Sequence, residues 1–220
     1  IVISPNLKFV NLCLNKYKLM IRLNELNISS IPSYIAKDYN YKLRYPIILK
    51  PIFGRGSRGV LQINNRKEYE AYFDLFNYTK DEILVQEKIV GQEYTVGVLS
   101  NNFDDLIVIN SKKVIIKKGI TQRAVTNDNK FITNVAKSII SKLNPSGPFN
   151  IQLFITKNNE VKVFEINPRF STTSIISFYS QIDEISLFLE YNNKKYNSNA
   201  LKPKDGLNLY RRWKNIFFKK

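Results

Sequence analysis

The sequence predicts an α+β fold in which two α+β subdomains enclose a cleft, and three observations carry that expectation. Residues 149–169, FNIQLFITKNNEVKVFEINPR, read as a β-hairpin with one polar and one apolar face. A glycine-rich loop, GRGSRG at 54–59, runs between two strand-like segments. The strand–loop–strand–helix–strand unit around that loop is followed by a second strand-rich section, joined to it by LVQEKIVGQE at 84–93.

The elements follow in chain order. Residues 5–27 read as two short helices, the first opening at Ser4-Pro5 as N-cap and first-turn proline, the second carrying Leu19, Leu23 and Leu26 on one side. Residues 1–44 are expected to form a helical linker or support. A small subdomain over 45–88 takes YPIILKP (45–51), the glycine loop, VLQI (60–63), a helix near 66–77 and ILVQE (83–87). A larger subdomain over 89–220 takes EYTVGVLS (93–100), strands through LIVIN and KVIIK, a helix from about 128 to 143, the hairpin and C-terminal helices. The basic tract RRWKNIFFKK at the C-terminus fits an amphipathic surface helix.

In the hairpin, a two-residue loop at Asn158 and Asn159, both tolerant of positive φ, sets Gln152 opposite Glu165 and Asn150 opposite Asn167. Strand side chains alternate, so these four polar residues share one face while Ile151, Leu153, Ile155, Phe164 and Ile166 share the other. Phe154, Val161 and Val163 are expected to continue the polar face as apolar residues, which a solvated face would not do. Carboxylate and amide oxygens converging at a sheet end suit a hard cation such as Mg²⁺. Pro168 keeps Asn167 extended and ends the strand, and Arg169 follows as a fixed cation.

Composition narrows the chemistry. The chain has 220 residues, 44% of them hydrophobic, which is enough for a sizeable core and excludes a disordered chain. It contains no histidine, so Ser-His, Cys-His and His-metal chemistry are out; what remains is Lys, Arg, carboxylates, amides and a metal, the tools of phosphoryl transfer. Cys13 is the only cysteine, cannot form an internal disulfide, and sits in the apolar stretch FVNLCL, where packing accounts for it. The formal charge of +16 invites a nucleic-acid reading, but Lys is spread through the whole chain, which argues against such a partner. The apolar runs are too short to cross a bilayer, and the expectation is a cytoplasmic protein without a membrane partner. The chain begins at Ile1 without a methionine, so upstream sequence is expected.

GRGSRG matches G-x-G-x-x-G, yet it leads into a strand rather than opening a helix, which removes the dinucleotide-fold reading. The His-Arg-Asp and Asp-Phe-Gly segments of protein kinases are absent as well. What is left is a flap whose Gly54, Gly56 and Gly59 let backbone amides close over phosphate oxygens. Lys50, held extended by Pro51, can reach a phosphate as a point charge, whereas Arg55 and Arg58 stay open between ligand contact and solvent. A nucleotide in the cleft would lay its base against LVQEKIVGQE, with Glu93 accepting ribose hydroxyls.

With flap, connection and hairpin in this order, the chain resembles the ATP-grasp superfamily, and its NIQ and FEINPR segments resemble the carbamoyl-phosphate-synthase large-chain branch most. The likeness spans roughly residues 5–180. It implies that Lys50 binds ATP phosphates and Gly54, Gly56, Ser57 and Gly59 form the flap. Gln86, Glu87, Lys88 and Ile89 would edge the adenine and Glu93 the ribose. Gln152, Glu165 and Asn167 would hold Mg²⁺ or Mn²⁺, and Arg169 with Lys50 would act on the transferring phosphoryl group. The implied function is an ATP-dependent carboxylate–amine ligase; the alternative is a truncated or non-catalytic ATP-binding module needing an N-terminal domain or partner chain. Gln152 departs from the second carboxylate of many relatives, and the family's usual N-terminal domain is not in this chain. Lys118 and Arg123 are read as further anion contacts, while the substrates and oligomeric state stay open.

Overall fold

The structure is a computed structural model that describes residues 3–54, 56–196, 199–212 and 216–218. Helix α1, Leu7–Leu14, is capped by Asn6, whose side chain accepts from the Phe9 amide at 3.0 Å. The start therefore falls after the expected Ser4-Pro5, because Asn6 offers the amide an oxygen that Pro5 lacks. Asn15 caps α2, Lys16–Glu25, in the same way. Leu19 and Leu23 are fully buried against Phe9 and Cys13, and Leu26 packs half-buried on the same core.

The segment before residue 45 is not helical throughout. It also supplies β1, Ser33–Ile35, to a four-stranded antiparallel sheet with β2 (Ile47–Pro51), β3 (Leu61–Ile63) and β4 (Ile83–Glu87), ordered β1-β4-β2-β3. Helix α3, Arg66–Phe76, covers it with buried Tyr69 and Tyr72.

The larger sheet runs β10-β7-β6-β5-β8-β9. Its strands are β5 (Gln92–Ser100), β6 (Leu106–Lys118), β7 (Ile120–Thr126), β8 (Pro148–Ile155), β9 (Val161–Asn167) and β10 (Asn208–Tyr210). LIVIN and KVIIK are parts of one 13-residue strand, and ITQRAVT, not expected as a strand, is β7. Helix α4, Lys130–Leu143, packs with α1 and α2 on one face of this sheet; α5 (Ile175–Tyr179) and α6 (Glu184–Tyr191) follow the hairpin. Where an amphipathic helix was expected at the C-terminus, residues 211–212 and 216–218 carry no helix, and 213–215 and 219–220 lie outside the described residues.

The hairpin differs from expectation in a way that matters for the site. Thr156 donates to Glu160 O at 3.0 Å and Asn159 donates to Thr156 O at 2.9 Å, and of the two asparagines only Asn159 has positive φ (61°). The loop is thus Lys157–Asn159, a three-residue turn, and the pairing nearest to it is Ile155 with Val161. Phe164 then bulges out between Val163, opposite Leu153, and Glu165, opposite Gln152. The bulge undoes the shift introduced by the longer turn, so the expected Gln152/Glu165 and Asn150/Asn167 pairs form after all. It also reverses the faces near the turn: Val161 and Val163 join the buried core, and Phe164 stacks on Phe154 at 5.0 Å on the polar side.

This turn gives a direct check. Asn159→Ala should cost about 1 kcal/mol, because alanine lacks the short polar side chain whose local hydrogen bonds let asparagine adopt left-handed backbone, while Asn158→Ala should cost under about 0.5 kcal/mol, as at ordinary surface sites. Urea unfolding midpoints of the two variants measure the difference.

Candidate functional site

The polar face of the hairpin and the small sheet enclose a cavity of about 390 Å³, within the range of small-molecule sites. Its floor is set by the register of β8 and β9. Asn150 is buried and accepts from Thr95 Oγ1 at 2.9 Å, Glu165 is half-buried beside it, and Asn167 ends the strand at the cavity wall. Gln152 Oε1 accepts from Lys117 Nζ at 3.0 Å, and Lys117 also pairs with Glu93. Arg169 stands exposed at the rim, its Nη1 donating to Phe170 O at 2.9 Å.

Lys50 is placed by the bulge. β2 delivers it from the small sheet, and its Nζ donates to the carbonyl of Phe164, the bulged residue, at 3.0 Å. It is 5% exposed; burial pushes its pKa down to about 8, Glu165 pulling it back up and Lys16 and Lys117 pressing it lower.

The glycine loop closes the opposite side. Gly56 and Gly59 have φ of 69° and 67°, and a Cβ on Gly59 would come within 3.3 Å of Pro51 and Tyr78, so glycine is required there. Gly54 and Ser57 line the cavity with Gly56, and Arg58 lines it too, while Arg55 lies outside the described residues. The connection after β4 forms another wall, with Gln86, Glu87, Lys88 and Ile89 all lining the cavity. Gln86 is turned inward, its Nε2 donating to Ser33 Oγ at 2.7 Å, so its backbone rather than its side chain is offered to a ligand.

Several residues of the cavity were not foreseen. Lys16, at the start of α2, donates to Gly54 O at 2.9 Å and lies 3.8 Å from Glu165, tying flap to hairpin; burial lowers its pKa, with Glu165 opposing. Lys117 occupies the position expected of Lys118, which is exposed and outside the cavity. One residue along a strand reverses the face, and the run of lysines there hides the parity. Arg123 is also outside, its guanidinium 4.7 Å from the Tyr210 ring, and Arg211 instead braces the cavity end, donating to Thr121 O (3.2 Å) and Thr172 O (2.9 Å). The only advance signal for Lys16 was its capping Asn15.

Among the described residues, six cations, Lys16, Lys50, Arg58, Lys88, Lys117 and Arg169, line the cavity against three carboxylates, Glu87, Glu93 and Glu165, which suits a polyanion. Among the described residues no three or more His, Cys, Asp or Glu side chains converge so as to hold a metal ion by themselves. A metal here would take one carboxylate with amide oxygens, a donor set for a hard cation that relies on ligand oxygens to complete its shell.

This arrangement has known counterparts. The chain belongs to the ATP-grasp domain family, whose model matches residues 13–173. It is 32% identical over 138 residues to a D-alanine–D-alanine ligase of Petrotoga mobilis, an alignment covering 56% of this chain and 46% of that protein. Among solved structures it is similar to an N5-carboxyaminoimidazole synthetase from Staphylococcus aureus complexed with ADP, at a TM-score of 0.76 and 19% identity, covering 88% of this chain and 55% of that one. The biotin carboxylase domain of Hydrogenobacter thermophilus 2-oxoglutarate carboxylase, in complex with MgADP and bicarbonate, has a TM-score of 0.73 and 15% identity, covering 90% of this chain and 49% of that one. At these identities the structural likeness concerns the fold. The chain spans about half the length of the curated relatives it matches. No helix among the described residues is long and apolar enough to cross a membrane.

Lys50 supplies a pH test. A polyphosphate beside it would raise its pKa from about 8, so binding takes up protons between that value and the raised one, and affinity falls as pH climbs through this window. Calorimetry of inorganic triphosphate at about pH 8.5 in two buffers of different ionisation enthalpy should show net proton uptake, and Lys50→Met should reduce it.

Proposed function

We propose that this chain is the ATP- and Mg²⁺-dependent core of a ligase that activates a carboxylate as an acyl phosphate for attack by an amine or similar nucleophile. The observation that carries the reading is the meeting of Gln152 and Glu165 across β8 and β9 in a cationic cavity roofed by a glycine flap. Kinship with a D-alanine–D-alanine ligase supports carboxylate–amine chemistry. Within the family, the NIQ and FEINPR segments favour the carbamoyl-phosphate-synthase-type branch.

In this reading Lys50 and Lys16 neutralise the phosphates, and Gly54, Gly56, Ser57 and Gly59 cover them with backbone amides. The base lies along the backbone of Gln86–Ile89 over the apolar surface of Phe154 and Phe164, and Glu93 takes the ribose once Lys117 turns toward phosphate. Gln152, Glu165 and Asn167 would hold Mg²⁺, which screens phosphate charge when bound. A carboxylate oxygen attacks the γ-phosphorus and ADP leaves; the amine then attacks the acyl carbon and phosphate leaves. Arg169 faces the charge that builds on the transferring group, and the flap excludes water. Residues 45–88, which supply α3 and all of the small sheet except β1, act as the lid and residues 89–220 as the base. An N-terminal domain or partner chain completes the acceptor site.

Mg·ATP should bind the full-length protein, measured by calorimetry, and ADP release with panels of carboxylates and amines should be acceptor-dependent. Glu165→Gln and Arg169→Met should each lower turnover by roughly 10²- to 10³-fold, the scale of losing one preorganised charge-stabilising group. Absence of Mg·ATP binding would overturn the reading; binding without turnover after restoring upstream sequence would point to a nucleotide-binding module.

A further inference from the structure

Beyond the cavity, the same sheet face carries a second set of charges that the proposed chemistry does not use. Lys112 on β6 is fully buried, and Glu184, the first residue of α6, is 7% exposed. Their charged ends converge over Gly97 of β5, where a Cβ would lie 3.6 Å from both Lys112 Nζ and Glu184 Oε1. Lys112 donates to Thr173 Oγ1 at 3.0 Å. Glu184 Oε1 accepts from Ser177 Oγ at 2.6 Å and Asn110 Nδ2 at 3.5 Å, and Asn110 also donates to Ser177 Oγ. Asn110 Oδ1 is buried without a partner.

Buried charges are costly unless paired and hydrogen-bonded, and an apolar filling is at hand next door in Leu99, Val108 and Phe188. What the charges grip is informative. Thr173 and Ser177 belong to the segment that leaves β9 immediately after Arg169, and Ser171 Oγ bonds Thr173 Oγ1 at 2.7 Å within it. From the other side Arg211 holds the carbonyl of Thr172, a residue of the cavity wall. The segment is therefore clamped between a buried lysine behind it and a guanidinium in front, with Arg169 at its root.

We propose that Lys112, backed by Asn110 and Glu184, is a positioning group that fixes the Arg169–Ser174 segment at the phosphoryl end of the cavity without contributing to nucleotide affinity. The link from this anchor to phosphoryl chemistry rests on the function proposed above; the anchor itself does not. Gly97 lies beneath the two charges, where a Cβ would make ordinary van der Waals contact with both.

The test compares amide deuterium exchange across 169–178 with Mg·ATP affinity in the full chain. Lys112→Met should raise exchange in that segment at least tenfold while strands β5 and β8 keep their protection and the Kd for Mg·ATP changes less than threefold; Lys112→Arg should restore protection. Because Lys112→Met strands a buried carboxylate, a cost that falls on folding itself, Thr173→Val serves as the second variant, removing the hydroxyl while keeping the shape, with the same local rise expected. Unchanged exchange in Thr173→Val overturns the proposal, as does a rise spread evenly over the whole chain, which would mark Lys112 as general packing. If the wild type fails to bind Mg·ATP, the nucleotide reading falls, while the exchange comparison still decides the anchor.

Discussion

The bulge at Phe164 is the constraint on which the cavity depends. Without it, the three-residue turn at 157–159 would carry a one-residue offset the length of the hairpin, and Glu165 would no longer stand opposite Gln152. With it, the carboxylate and the amide meet, the bulged carbonyl accepts from Lys50, and the displaced ring forms an aromatic surface with Phe154. One extra residue in a strand thus sets oxygen donors, cation and apolar wall together. Bulges near functional sites serve this purpose widely, since they re-aim side chains without dismantling the ladder.

Lysine placement is the second theme. Three lysines from distant parts of the chain, Lys16, Lys50 and Lys117, reach one cavity and hold Gly54, Phe164, Gln152 and Glu93. Burial lowers the affinity of Lys50 for its proton, and the neighbouring charges of Lys16 and Lys117 press it lower against the pull of Glu165. A polyanion relieves this repulsion, and the same lysines would release the flap and the hairpin groups they grip. In the proposed reading, binding and rearrangement would be coupled through these shared hydrogen-bond donors.

The cavity also shows a division of labour between its walls. The flap and Lys50 come from the smaller sheet, the oxygen donors and Arg169 from the larger, and α2 contributes Lys16 while packing on the larger core. In the proposed reading, relative movement of the two sheets would change the distance between Lys50 and the flap on one side and Gln152, Glu165 and Asn167 on the other, as expected of folds that close over their ligands.

Local chemistry determined much of this in advance. The glycines at 54, 56 and 59, the extended Lys50-Pro51, and the polar pairs of NIQ and FEIN were readable because backbone preference and side-chain alternation act over a few residues. The turn and the bulge were not: an Asn-Asn pair is compatible with two loop lengths, and a bulge has no sequence signature in Phe164 itself. The cancelling of those two offsets was decided by packing, because burial of Val161 and Val163 beside Leu153 selects the register near the turn while Gln152 and Glu165 keep theirs beyond it. Lys16, Lys117 and Arg211 belong to the same class. Apart from Asn15, which caps the helix beginning at Lys16, nothing near them in sequence marks them out among 34 basic residues; tertiary structure, by bringing α2, the end of β6 and the segment after β10 to one cavity, distinguishes them from the rest, since electrostatic role follows from distance in space.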